Sequence, residues 1–382
     1  MVFLGESLVL SALFVTYFSW YCLVPCNAAS LFLLSSLLKI HTPRTPLLSG
    51  LAALDWLGGL TLSSGTVMLL LALSLGATSL PWSSPTVLTL LILGPCTLLL
   101  FLIIEFRLEI HPIIPFRRIV TTPSNAASLL ICSVHGTCYI SVACFLPLYL
   151  QSVLTLPPLP SGAWSLPTAL TLLVASLSSG IYMHSTGRYH ELIIIGLSFL
   201  ILGLGVLSTL PPTLSPTRLI LFQILVALGI ASLFQAPLIA LQAHLKSTDT
   251  AAGTATAGFV RTLAAGISLV VGQAVFQAGM RSRSAGLVEA DVPARVVEEL
   301  GRGSGMVGAR IIEGLSTDQR EMVRGAMVDS LRQMWIFYTA VAGVGLLAGF
   351  WVKKREMSDV HVEVRTGLES VESVNPLGDV EI

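Results

Sequence analysis

The sequence predicts an all-α polytopic membrane protein, and two observations carry that prediction. No Asp, Glu, Lys or Arg occurs from Trp56 to Ile104, or from Ile119 to Gly187. A charged side chain at the centre of a bilayer costs at least ~2.5 kcal/mol, so uncharged runs of this length read as lipid-embedded. The composition agrees. Of 382 residues, 54% are hydrophobic and 11% charged, with a mean hydropathy of +0.83, whereas a soluble chain carries roughly 25% charged residues.

Individual spans follow from the punctuation of these runs, because a crossing helix needs roughly 20 apolar residues and Pro lacks the N–H that a continuing helix would use. The first runs over about 21–38 and stops at the polar island Lys39 to Pro46. Pro81-Trp82-Ser83-Ser84-Pro85 splits the next run into about 56–77 and 86–104, and the Pro-rich segment from Pro157 to Trp164 splits the following one into about 126–150 and 164–183. Four more are expected at about 192–210, 219–243, 255–278 and 333–352, with an ambiguous apolar segment at 3–18. Met1 to Trp20 has no basic n-region, so it reads as membrane-embedded and not as a cleaved signal peptide.

Basic residues set the orientation through the positive-inside bias. One alternate set of loops holds Lys39 and Arg44, then Arg107, Arg117 and Arg118, then Arg188, then Lys246, then Lys353, Lys354 and Arg355; the opposite hairpins at Pro81 and Pro157 hold none. The first set is expected to be cytosolic. The segment 281–332 then lies outside; it has eight basic and eight acidic residues and short apolar clusters at Val296-Val297 and Ile311-Ile312. It reads as a solvated loop with peripheral helices, a partner-binding ectodomain being the alternative. Ser316 and Gln319 fit a capping box ahead of the last span. The tail after Arg355 is polar and increasingly acidic, the composition of a disordered segment.

These features exclude several classes. A net charge of +0 carries no nucleic-acid footprint. The six cysteines lack metal-site or disulfide-framework spacing and read as small buried hydrophobes. There is no P-loop, HExxH or G-x-S-x-G pattern, and Gly301-Arg302-Gly303-Ser304-Gly305 follows no strand, so neither an enzyme nor a cofactor is expected.

Polar residues inside spans are the default candidates for a binding site. His135 and Tyr139 are four apart and share a helix face. Phe234, Gln235 and Gln242 surround Pro237, which frees a carbonyl within lipid. Gln273 and Gln277 continue a stripe with Thr262 and Gly266 on the next helix, where helix packing is the competing role. An aromatic and amide lining suits amphipathic organic molecules. Arg261, about two turns inside its helix, either snorkels to the cytosolic surface or makes an interior contact. Asp55 stands at a span edge, and no carboxylate lies centrally in a span. Gly345 and Gly349 make a GxxxG step for close helix contact.

Several segments together resemble the fungal fourteen-span drug:proton antiporter branch of the major facilitator superfamily. They are Asp55-Trp56-Leu57-Gly58-Gly59, Pro81 to Pro85, Glu109 to Pro115, Phe145 to Gln151, Phe234 to Leu238, and Gly258-Phe259-Val260-Arg261-Thr262-Leu263, in that order. The family's loop pattern G-x-L-x-D-R-x-G-R falls on Gly180 to Arg188: Gly180, Gly187 and Arg188 match, while Tyr182, His184 and Ser185 depart from it. Because Ser19-Trp20-Tyr21-Cys22 resembles the entry to the family's sixth span, the chain is expected to be truncated at its N-terminus relative to that family.

The resemblance implies a major-facilitator-type helical bundle with a complete C-terminal half and a partial N-terminal half. Residues 1–40 would be the remnant of the first half, 41–118 two linker spans and a cytosolic connector, 119–352 the six-helix second half with its outer loop 281–332, and 353–382 the tail. It implies proton-coupled export of small amphipathic organic compounds, drugs or toxins, across the plasma membrane or else the vacuolar membrane. Substrate contacts fall to His135, Tyr139, Phe234, Gln235, Gln242, Gln273 and Gln277; gating or structural roles fall to Asp55, Gly180, Gly187, Arg188, Pro237 and Arg261. The partners are the substrate, the lipid bilayer and a homodimeric second copy. The competing reading is a non-transporting half-transporter, a membrane sensor or an inactive remnant; a polytopic receptor is a third class.

Overall fold

The computed structural model describes residues 23–37, 55–78, 80–107, 114, 119–120, 122–246, 249–301 and 314–355. The chain divides into two compact units, residues 54–361 and a second made of 1–53 with 362–382. Of the second, only the apolar helix α1, Leu23–Leu37, is described. Its Asn27 and Ser30 side chains donate to the carbonyls of Leu23 and Cys26 one turn earlier, which satisfies these polar groups within the helix. The segment 3–18, the Ser19 to Cys22 signature, the basic residues Lys39 and Arg44, and the tail beyond Arg355 lie outside the described residues.

Residues 54–361 are all-helical among the described residues, and eight spans there are long and apolar enough to cross a membrane. They are α2 (Trp56–Thr78), α3 (Pro85–Arg107), α4 (Pro123–Leu148) with a π-helical turn Tyr149–Val153, α5 (Pro158–Thr186), α6 (His190–Leu207), α7 (Pro216–Ser232) followed by the short α8 (Ala236–Ala243), α9 (Thr250–Ser282) and, after α10 (Ser284–Glu289) and α11 (Ala294–Gly301), α12 (Thr317–Gly349). The starts are chemical. Pro stands in the first turn of α4, α5 and α7, where no N–H is needed. Asp55 caps α2 by accepting the Gly58 N–H at 2.6 Å. Gly187 ends α5 at φ 68°, a left-handed conformation costly for any residue with a Cβ.

Helix α5 starts at Pro158, within the Pro-rich segment and not at about 164, and the expected span 219–243 is interrupted at Leu233 to Gln235. Two further helices are much longer than expected. Helix α9 and helix α12 each run for 33 residues, not the expected 255–278 and 333–352. At 1.5 Å per residue each is about 50 Å long, against a hydrocarbon core of about 30 Å. Hydropathy marks where lipid begins, whereas the helical hydrogen-bond ladder continues as long as residues permit it. The overhang gives α10 and α11 something to pack on: Leu287, Val292, Val296, Leu300, Leu315 and Val323 join the apolar core of the bundle. The segment 281–332 thus carries peripheral helices, as expected, which seat one apolar face on the bundle while most of their other residues stay exposed. The Ser316–Gln319 capping box is present at the start of α12.

Within the bundle α2 pairs with α3, α9 lies on α4 and α12, α6 lies on α7 and α12, and α5 is held chiefly by α7. Burial on α4, α6, α7 and α12 converges on Ile131, Leu197, Leu200, Val226, Trp335 and Tyr338. Lipid removes the hydrophobic drive between helices, so close packing and interhelical hydrogen bonds hold them. Tyr338 donates to the Ser268 carbonyl at 2.8 Å, and the Ser268 hydroxyl to the Thr137 carbonyl at 3.0 Å, joining α12, α9 and α4. A Cβ on Gly345 would lie 2.9 Å from Val134 and 3.0 Å from Leu197, so the GxxxG step is an intimate contact with α4 and α6. Of the cysteines expected to be buried, Cys132 and Cys138 are, whereas Cys26 and Cys96 are exposed and Cys144 half-buried. Periodicity alone does not separate lipid-facing from bundle-facing positions.

The loops gather at two ends. At the basic end Lys353 N–H donates to the Ser124 hydroxyl at 3.1 Å, and Tyr189 donates to the Lys353 carbonyl at 3.0 Å. At the opposite, far end Tyr149 donates to the Pro211 carbonyl at 2.7 Å, Arg332 to the Ser208 carbonyl at 3.1 Å, and Arg324 to the Thr155 hydroxyl at 3.0 Å.

Candidate functional site

The chain breaks between α7 and α8 at Leu233 to Gln235, ahead of Pro237. The break turns Phe234 outward, 37% exposed, and leaves its carbonyl outside both helical ladders. Across from it, about 18 Å along α4 from Pro123, stand His135 and Tyr139. The His135 and Tyr139 rings are stacked with centroids 6.1 Å apart, and Phe234 meets both edge-on, at 5.1 Å from His135 and 6.0 Å from Tyr139. His135 is only 1% exposed behind the other two rings. Tyr139 is 38% exposed.

Arg261 completes the cluster from α9. It does not snorkel: Nη2 donates to the Phe234 carbonyl at 3.0 Å and points to Cys132 Sγ at 3.9 Å, with the guanidinium carbon 5.6 Å from the Phe234 ring centroid. Because α9 begins at Thr250, Arg261 lies eleven residues in, about 16 Å along the axis and inside the expected span. Gly136 allows this approach. A Cβ there would lie 2.3 Å from the Arg261 carbonyl oxygen, so any other residue pushes α4 off α9. Sequence reasoning misses Gly136, whose only local signal is its place beside His135.

Tyr139 also borders a cavity of about 150 Å³ between α4, α5 and α7, lined by Leu146, Pro147, Leu172 and Ile230 with Ser165 and Thr168 as its hydroxyls. Beside it the fully buried Gln223 accepts from Thr168 at 2.8 Å and donates to the Trp164 carbonyl at 2.9 Å, tying α5 to α7.

The other expected contacts stand apart from this cluster. Gln235 is exposed next to Phe234. Gln242 donates to the Thr254 hydroxyl at 2.8 Å, a clip between α8 and α9 toward the basic end. Gln273 and Gln277 lie about 18 and 24 Å beyond Arg261 along α9, toward the far end, with Gln277 buried.

At the basic end, Gly180 is exposed with open space around it, and Gly187 makes the turn that delivers Arg188. The carboxylate beside this turn is Glu191 on the next helix. Glu191 accepts from Tyr182 at 2.8 Å and faces Arg188 at 3.8 Å and Lys354 at 3.6 Å. The i,i+3 spacing of Arg188 and Glu191 is a readable signal that the family pattern obscures. These groups border a cleft of about 930 Å³. Burial pushes the phenol of Tyr189, in the same loop, above its ordinary pKa.

A bundle of membrane-length helices, with an aromatic cluster and a charged group inside the expected spans, has the architecture of a polytopic membrane protein. The chain belongs to the fungal trichothecene efflux pump (TRI12) family of the major facilitator superfamily, whose pattern it matches over residues 2–344. It is similar to the efflux pump dotC of Dothistroma septosporum, 35% identical over 92% of this chain and 60% of that protein. It is 35% identical to the MFS-type transporter ppz2 of Metarhizium majus, over 91% of this chain and 60% of that one. An MFS-type transporter of Aspergillus terreus is 35% identical over 94% of this chain and 65% of its own length. The chain thus spans between 60% and 65% of the length of these relatives.

Proposed function

We propose that this chain forms the substrate-binding half of an exporter of small amphipathic organic compounds, of the secondary-metabolite or toxin kind. The observation that carries this reading is the cluster of His135, Tyr139, Phe234 and Arg261 at a helix break inside the expected spans, within a family of efflux pumps. Discontinuous membrane helices are where such transporters hold their substrates. The cavity beside Tyr139 offers apolar walls with two hydroxyls, the mixture an amphipathic molecule needs. Alternating access rocks two halves about a central site. The described six-span bundle supplies one; the other comes from residues outside the described ones or from a second copy. The plasma membrane is the site where export would clear the cell, and proton coupling is the energy source the resemblance implies.

The experiment is expression in a yeast strain stripped of its own exporters, with retention of a panel of fungal toxins as the readout. Lower retention of at least one compound is expected, abolished by His135→Ala or Phe234→Ala with membrane insertion unchanged. Dissipating the pH gradient should restore retention. Unchanged retention across the panel, in a strain where the protein reaches the plasma membrane, would count against export.

A further inference from the structure

The export role leaves the charge at the centre of the site unexplained. Arg261 is the only Asp, Glu, Lys or Arg within the expected spans, and its neighbours are all neutral: a carbonyl, a thiol and an aromatic ring. No carboxylate among the described residues faces it. A guanidinium stays protonated in proteins, and inside a membrane it demands a partner. Its Nε is buried without a hydrogen bond. Propping the helix break through the Phe234 carbonyl needs a single N–H, which an uncharged amide would supply equally well; the positive charge is surplus to that duty.

The flank of Arg261 is also open. Gly258 and Thr262, one turn before it and one residue after, are exposed, and no other residue comes within 4 Å of where a Cβ on Gly258 would stand. The exposed rings of Tyr139 and Phe234 stand alongside as an apolar platform. Building on the export role, we propose that Arg261 is the counter-ion for the exported compound, which is an aromatic organic anion: its ring lies against Tyr139 and Phe234 and its acidic group pairs with the guanidinium. Like-charge repulsion disfavours organic cations at this position, and a neutral compound leaves the charge uncompensated. In a low-dielectric setting both effects are larger than in water.

The test uses a matched pair of probes, 2-naphthoate and 2-naphthamide, which differ chiefly in charge. Binding to the purified full chain in lipid nanodiscs is measured by isothermal titration calorimetry. The wild-type chain should bind the acid about tenfold or more tighter than the amide, the gain expected from one charge-assisted hydrogen bond. Arg261→Gln should erase that preference, with an unchanged melting temperature in the same nanodiscs as the evidence that the variant is folded. Arg261→Lys should keep most of the preference. Equal affinities in the wild type, or an acid preference that survives Arg261→Gln, overturn the assignment and leave the export reading standing; the second result would point to a different cationic group. A wild-type chain that binds neither probe overturns the counter-ion assignment alone, because export is judged by the toxin panel.

Discussion

Substituting Gly136 by Ala tests the geometry that brings Arg261 to the aromatic cluster. The added Cβ would stand 2.3 Å from the Arg261 carbonyl oxygen and 3.0 Å from its Cγ. Normal contact needs about 1 Å more, and a backbone atom cannot rotate away, so α4 and α9 must separate. Such overpacking costs about 1–3 kcal/mol. Replacing a helical Gly by Ala also gains up to ~1 kcal/mol in propensity, which would mask part of the loss. The control is Gly258→Ala on the same face of α9 three residues away, where open space awaits the methyl. The propensity gain is common to both, so their difference isolates the clash: Gly136→Ala should be about 1–3 kcal/mol less stable than Gly258→Ala. Thermal unfolding of the two variants in the same detergent, followed by a C-terminal fluorescent reporter, measures that difference. Identical melting curves for the two would refute the close crossing and the placement of Arg261 with it.

Three further outcomes are expected. In a double-mutant cycle Arg324→Ala and Thr155→Val should couple by about 0.5–1.5 kcal/mol, because a single hydrogen bond joins α12 to the loop before α5; strictly additive losses would contradict that bond. In a cysteine-free background, Arg118→Cys, Arg188→Cys and Lys246→Cys should label only after permeabilisation, whereas Trp82→Cys and Thr155→Cys should label on intact cells; external labelling at position 188 would invert the topology. Tyr189→Phe removes the hydroxyl that donates to the Lys353 carbonyl and accepts the Arg355 N–H at 2.9 Å. Trypsin should then cut the 353–355 segment several-fold faster in inverted vesicles, and an unchanged rate would show that the segment is held otherwise.

The spans are legible in the sequence because charge and Pro act locally: a run without ionisable residues and a Pro at its end carry their meaning in one segment. The shared face of His135 and Tyr139 is legible for the same reason, being a matter of helical spacing. That Phe234 and Arg261 join them is not, since those contacts depend on how α4, α7 and α9 cross, and Gly136, which permits the crossing, looks like any span glycine. The competing roles of Arg261 separate only once the Phe234 carbonyl has a position. The length of α9 escapes a hydropathy reading because its last residues leave the lipid without leaving the helix. Likewise the Val296-Val297 cluster reads as part of a solvated loop with peripheral helices until the overhanging ends of α9 and α12 give Val296 a surface.

That overhang has a mechanical consequence. Twenty-one residues separate Arg261 from Ser282 on α9, a straight arm of about 32 Å. A pivot of about 5° at Arg261 would carry the far tip through about 3 Å, a displacement larger than a side-chain adjustment at the site itself. Helix α9 is thus a lever whose short-range events are magnified at its tip, where Arg281 and Arg283 touch α11 and α12 through Gly301 and Asp329. Spectroscopic probes meant to sense ligand occupancy belong there, where small rotations become measurable distances.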